Sequence, residues 1–335
     1  MTARHIGVLA AAMTAGWLAS AAVVGAQSTP RTPWGDPDIS GMFTNKDQQG
    51  IPFERPAEFG TREFLTDQEF AERQVRAIQQ LDTDRAEFDL ETADVARAGA
   101  VGSPTSPPPH WLDRGEPARR TSLVVDPPDG RIPAMTPDGA RQVAARAAGS
   151  RARRFGGDSE AATYADAGLY DRCITRGLPG SMMPAIYGNS YQIVQGPGFV
   201  GIRYEMIHET RIIPLDGRGH VSDDIRQYMG DARGHWDGDT LVVETTNFMP
   251  DSVYRNANPT ALRLVERFTR VGVDTVEWSV TVDDATTWTR PWTFRMNLTR
   301  DDSQPVFEYA CHEGNYAMTN MLSGARAREQ ESGGK

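Results

Sequence analysis

The chain has 335 residues, 39% hydrophobic and 24% charged, an ordinary globular composition that allows one large domain or two small ones. Its formal net charge of -10 argues against a nucleic-acid binder, whose electrostatic footprint is basic.

The first segment sets the expected compartment. Arg4 and His5 precede a small, apolar run from Ile6 to Val24, and Val24-Gly25-Ala26 places small residues before Gln27. This pattern predicts a signal peptide over residues 1–26 and a secreted or periplasmic mature chain. No cysteine follows the run, so lipid attachment is not indicated, and no later stretch is long and apolar enough to span a bilayer. The two cysteines, Cys173 and Cys311, make an even count. In an oxidising compartment that favours one disulfide over two buried free thiols or a nucleophilic Cys311.

Residues 27–169 read as an N-terminal arm with helices and Pro-rich loops. A short strand is predicted from Ile39 to Asn45. Thr66 and Glu69 form a capping box for a helix running to about Gln80, with Leu65 and Phe70 placed as its hydrophobic staple. Residues 99–120 are a Pro-rich loop, and a further helix starts near Thr136-Pro137. From about residue 190 the apolar period changes to two. Strands are predicted at Gln192–Val194, Val200–Ile207 and Thr210–Pro214. A hairpin turns at Asp237-Gly238, a second near Val271-Gly272, and the last two strands lie in "TWTRPWTFRMNLTR" and "PVFEYACHE". This is a mainly β fold, an antiparallel barrel over residues 170–322, followed by a polar tail at 323–335. Parity puts Val276, Trp278, Val280 and Val282 on one face, and Trp288, Trp292, Phe294 and Met296 on another. It points His208 inward and turns Cys311 and His312 apart.

Several stretches together are specific: "PWGDPDISGMFTN", "LTDQEF", "DRCITRGLPGSMMPAIYGNSYQIVQ", "IHETRIIPLDGR", "MGDARGHWDGDTLVVETTNF", "ERFTR", "VDDATTWTRPW" and "FEYACHEGNY". On these the chain resembles a large family of exported, mostly uncharacterised bacterial proteins, over nearly the whole mature chain. The resemblance implies membership and no activity. "DISGMFTN" also resembles the Gly-x-Trp opening strand of lipocalin-like barrels, with Phe43 where Trp would stand.

Three functions compete on the residues. The first is cofactor-independent acid–base catalysis, of lyase, isomerase or hydrolase type, in the barrel mouth. Here His208 and His235 transfer protons, and Asp231 and Glu266 orient them. Arg211, Arg233 and His312 bind charge, and Trp278, Trp288 and Trp292 line a pocket for an aromatic or terpenoid-like molecule. The second is a non-catalytic carrier of a small ligand. The third is a metal-dependent hydrolase with His208, His235 and His312 joined by Glu209 or Glu313, although no His-x-x-x-His or Cys-x-x-Cys spacing supports it. Ser181 lacks the Gly-x-Ser-x-Gly elbow, and no phosphate-binding Gly-rich motif is present. The expected partner is therefore a small molecule, without cofactor, metal, nucleic acid or membrane, and the oligomeric state is open.

Overall fold

The computed structural model describes residues 29–86, 112–149, 163–303 and 305–333. The expected signal peptide and most of the expected Pro-rich loop lie outside them. Among the described residues, ten strands and three α-helices succeed one another: β1 Gly41–Thr44, α1 Asp67–Ala86, β2 Val124–Asp126, α2 Pro137–Gly149, β3 Ser190–Gly196, β4 Phe199–Tyr204, β5 Thr210–Pro214, β6 Asp231–Asp237, β7 Thr240–Thr246, β8 Arg263–Gly272, β9 Thr275–Asp283, β10 Trp292–Arg300 and α3 Ala317–Gly333.

Nine strands form one sheet in the order β5-β4-β3-β1-β10-β9-β8-β7-β6, curled into a nearly closed antiparallel barrel. The period-two pattern explains its wall. In β8, β9 and β10 alternate residues are buried, so Leu264, Phe268, Trp278, Val280, Phe294 and Met296 fill the interior. The rings pack edge to face or stacked: Trp278 lies 5.6 Å from Phe294 at 87°, and Phe268 lies 6.2 Å from Trp278 at 27°. A barrel of this size is filled by its own side chains.

The boundary expected at residue 170 is corrected by β1. Phe43 pairs with Tyr191 of β3 and Arg300 of β10, so the arm contributes a stave to the barrel wall. β2 runs beside the first part of β10, on the edge that β1 does not reach. The arm's helices start as predicted: Glu69 accepts from the Thr66 backbone N–H at 2.8 Å, and Thr136 Oγ1 accepts from Gly139 at 2.9 Å. One further expectation fails. "PVFEYACHE" is not a strand; residues 305–310 are irregular and 311–314 turn into α3. Of the expected polar tail, residues 323–333 lie within α3.

All neighbouring staves are antiparallel, and there are nine. With an odd number, the first and last, β5 and β6, must run parallel. Residues 215–230 carry the chain from the end of β5 back to the start of β6, the crossover that parallel neighbours require. No ladder joins β5 to β6, and the barrel has a seam there. At the upper part of the seam, Ile213 and Leu215 cross to the backbone of Gly234. A Cβ on Gly234 would stand 2.7 Å from both side chains.

Because β1 is a stave, Phe43 belongs to the barrel core and is 1% exposed. Phe43→Ala is expected to lower stability by about 3–5 kcal/mol, checked by denaturant unfolding monitored through tryptophan fluorescence.

Candidate functional site

Antiparallel order sorts the connections to two ends. Two-residue turns at 197–198, 238–239 and 273–274 close one end. The longer connections 205–209, 247–262 and 284–291 gather at the other, and residues 163–189 reach β3 there. The seam opens at this looped end.

The seam cleft has a volume of about 540 Å³. Thr210, Arg211, Ile212 and Pro214 of the β5 side form one wall; Gly230, Asp231, Ala232 and Arg233 of the β6 side form the other, with Gln227, Tyr228 and Met229 from the crossover. Arg211 points into the barrel, as the alternation of β5 requires, and is 5% exposed. Its Nη1 donates to Glu266 Oε2 at 2.5 Å and its Nη2 to Oε1 at 3.1 Å. Trp278 Nε1 donates to Glu266 Oε1 at 3.1 Å. The ion pair therefore spans the interior from β5 to β8. Burial opposes the charge on Arg211, but Glu266 and Tyr204 outweigh it and push the guanidinium's pKa up. Burial likewise raises the Tyr204 phenol. Arg211 Nε, Tyr204 OH and Thr245 Oγ1 are buried without a hydrogen-bond partner.

Beyond the cleft, Thr175 Oγ1 donates to Glu209 Oε2 at 2.8 Å and meets Met229 Sδ at 3.5 Å. Thr175, Glu209 and Met229 so separate the seam from a second cavity. Burial pushes Glu209 above the usual carboxylate range, against hydrogen bonds from Thr175, Ser181 and the Arg176 backbone.

Outside the barrel wall, Asp231 accepts from Arg233 Nη1 at 2.7 Å, from His220 Nδ1 at 2.8 Å and from the Val221 N–H at 3.1 Å. His220 Nε2 lies 3.5 Å from Glu244, which also pairs with Arg263. Sequence reasoning missed His220, which sits in a Gly-rich loop with no periodicity. Its available signal was its place in the crossover, eleven residues before the acidic start of β6. Both ring nitrogens already face carboxylates, so this histidine stitches the crossover to the barrel wall.

The structure thus brings Arg211, Glu266 and Trp278 together inside the barrel, and Asp231 and Arg233 at the cleft wall. It leaves the other expected site residues apart. His208 is exposed, because β4 ends at Tyr204 and Ile207 and His208 take positive φ of 59° and 44°, which breaks the strand parity. Its Nδ1 lies 2.9 Å from the carbonyl of Tyr309. His235 is exposed on the outer side of β6. His312 is exposed in a surface groove with Arg172 and Asn315. The two proton-transfer histidines thus take separate surface positions, and among the described residues no group of three His, Cys, Asp or Glu is placed to hold a metal. Trp278 and Trp292 are 0% exposed and Trp288 is 2%. Side chains so enclosed border no space that water enters, so these tryptophans are core and do not line a ligand pocket.

Cys173 and Cys311 form the expected disulfide. It ties the C-terminal segment to residues 163–187, where Tyr309 stacks on Tyr187 at 6.1 Å and Asn315 Nδ2 approaches Cys173 Sγ at 3.2 Å.

No protein-family profile and no curated protein matches the chain. Among solved structures it is similar to a secretary abundant heat soluble (SAHS) protein from Ramazzottius varieornatus, at 14% identity. The match covers 40% of this chain and 87% of that one, with a TM-score of 0.24. A likeness at that level carries no functional argument. No helix among the described residues is long and apolar enough to cross a membrane.

The buried ion pair generates a test. Arg211→Met alone leaves Glu266 buried and uncompensated and is expected to cost about 3–5 kcal/mol, whereas Arg211→Met with Glu266→Leu is expected to recover most of that loss. Unfolding of the single and double variants in urea checks this.

Proposed function

We propose that the protein binds a small organic molecule in the seam cleft, and that binding, rather than acid–base turnover, is its role. The observation that carries this reading is the seam: a cleft of about 540 Å³ where β5 and β6 are not hydrogen-bonded to each other. That volume lies in the usual range for small-molecule sites, roughly 300–1,000 Å³. The walls combine apolar surface from Ile212, Pro214, Ala232 and Met229 with hydrogen-bonding groups from Thr210, Gln227 and the strand edges. The charges at the cleft are paired, Arg211 with Glu266 and Arg233 with Asp231. This favours an uncharged molecule carrying hydrogen-bonding groups at one end of an apolar body. In an exported protein, as the N-terminal segment suggests, the ligand would be one met outside the cytoplasm.

Binding is favoured over catalysis because, among the described residues, no histidine lines the cleft. His220, behind Asp231, has both nitrogens engaged.

The test uses protein expressed with its N-terminal segment, purified and examined by native mass spectrometry. Thr210 and Gln227 are exposed at the cleft, so Thr210→Trp with Gln227→Trp is expected to block it without disturbing the core. Wild type is expected to carry an organic adduct that the blocked variant lacks, with its mass unchanged after prolonged incubation. An adduct retained by the blocked variant, or one converted to another mass, would count against the proposal. So would a wild type that carries no adduct and whose Tm is unmoved by a set of uncharged fragments.

A further inference from the structure

We infer that the second cavity at the looped end is a separate site for an organic monoanion, bound through the guanidinium of Arg176. This inference is independent of the role assigned to the seam. The cavity measures about 410 Å³ and lies between residues 168–183 and 251–254. Arg176 lies in its wall with the guanidinium 5.7 Å from the centre of the Tyr170 ring. The residue is half-buried, and its Nη1, enclosed by protein, donates to no protein group.

The two buried arginines show what this half-buried one lacks. Arg211 is held bidentately by Glu266, and Arg55 donates to Ser122 Oγ at 3.2 Å and to the Pro128 carbonyl at 2.6 Å. Arg176 forms no ion pair among the described residues. Glu209 accepts from the Arg176 backbone N–H and not from its guanidinium. A half-buried cation in a cavity wall without an ion pair is a receptor for an anion, and a planar guanidinium over an aromatic ring suits a carboxylate in particular.

The rest of the wall sets the ligand's body. Leu178, Met183 and Tyr254 are apolar and face the same space. Burial pushes the Tyr254 phenol up to about 12, so it adds no negative charge. Asp251 also lines the cavity and is exposed. One carboxylate at Arg176 is tolerated beside it, whereas the second charge of a dianion is repelled. The class is thus a monocarboxylate with a compact apolar or aromatic body.

The probes are 3-phenylpropionate and its uncharged primary amide, titrated calorimetrically into full-length protein. Wild type is expected to bind the carboxylate at least tenfold more tightly than the amide. Arg176→Gln, which breaks no ion pair, is expected to remove that difference while leaving the Tm unchanged. Val253→Trp, at an exposed position of the wall, is expected to weaken both probes. The blocked seam variant, Thr210→Trp with Gln227→Trp, is expected to bind the carboxylate like wild type. No binding of the carboxylate by wild type at millimolar concentration overturns the inference. Equal affinity in wild type and Arg176→Gln does so too. Loss of binding in the seam variant alone would place the anion in the seam and overturns it as well.

Discussion

The parity of the barrel is the constraint on which the rest depends. Eight antiparallel staves close on themselves with antiparallel neighbours; nine do not. β1, brought in from the N-terminal arm, makes the number odd by lying between β3 and β10. β5 and β6 then meet in parallel, the chain needs a long crossover between them, and neither strand completes the other's ladder. An edge inside a barrel wall leaves unpaired backbone groups that water, a covering loop or a ligand must satisfy. Here the crossover covers part of the seam, Ile213 and Leu215 bridge it over Gly234, and the remainder is the cleft.

Polar groups in the interior follow the same geometry. A core of Trp278, Trp292, Phe294 and Phe268 has little reason to hold a glutamate. Glu266 is held there by Arg211 from the seam strand and by the Trp278 indole. A buried pair of this kind is weak as a source of net stability, because both charges lose water. It ties β5 to β8 across the interior, and it does so at the strand that lacks a neighbour on one side. The interior is otherwise filled, and the open space lies in the seam cleft at the looped end.

Local pattern made most of the wall legible. Strict alternation in β9 and β10 led to the strands, and the Asp-Gly signal placed the β6–β7 turn to within one residue of its position at 238–239, because each depends on neighbours in sequence. Pairing of residues 41–44 with strands some 150 and 250 positions away leaves no local mark, so the arm reads as separate from the barrel. Parity also has limits where the backbone leaves the strand. Counting along an apolar row points His208 inward, but the positive φ of Ile207 and His208 interrupts that row. The tryptophans do point inward, but sequence does not show whether the space they enter is already full. Arg176 lies in an irregular segment, where a lone arginine looks like any surface charge; that no ion pair forms with it among the described residues shows only in space.

Residue-level amide hydrogen exchange along β5 and β6 tests the central claim most directly. If the barrel is left open by parity, alternate amides of each strand, those facing the seam, exchange rapidly, while those bonded to β4 and β7 are protected like the amides of β8 and β9. Uniform protection along both strands, equal to that of β8 and β9, would mean a closed, hydrogen-bonded ring and would contradict the account.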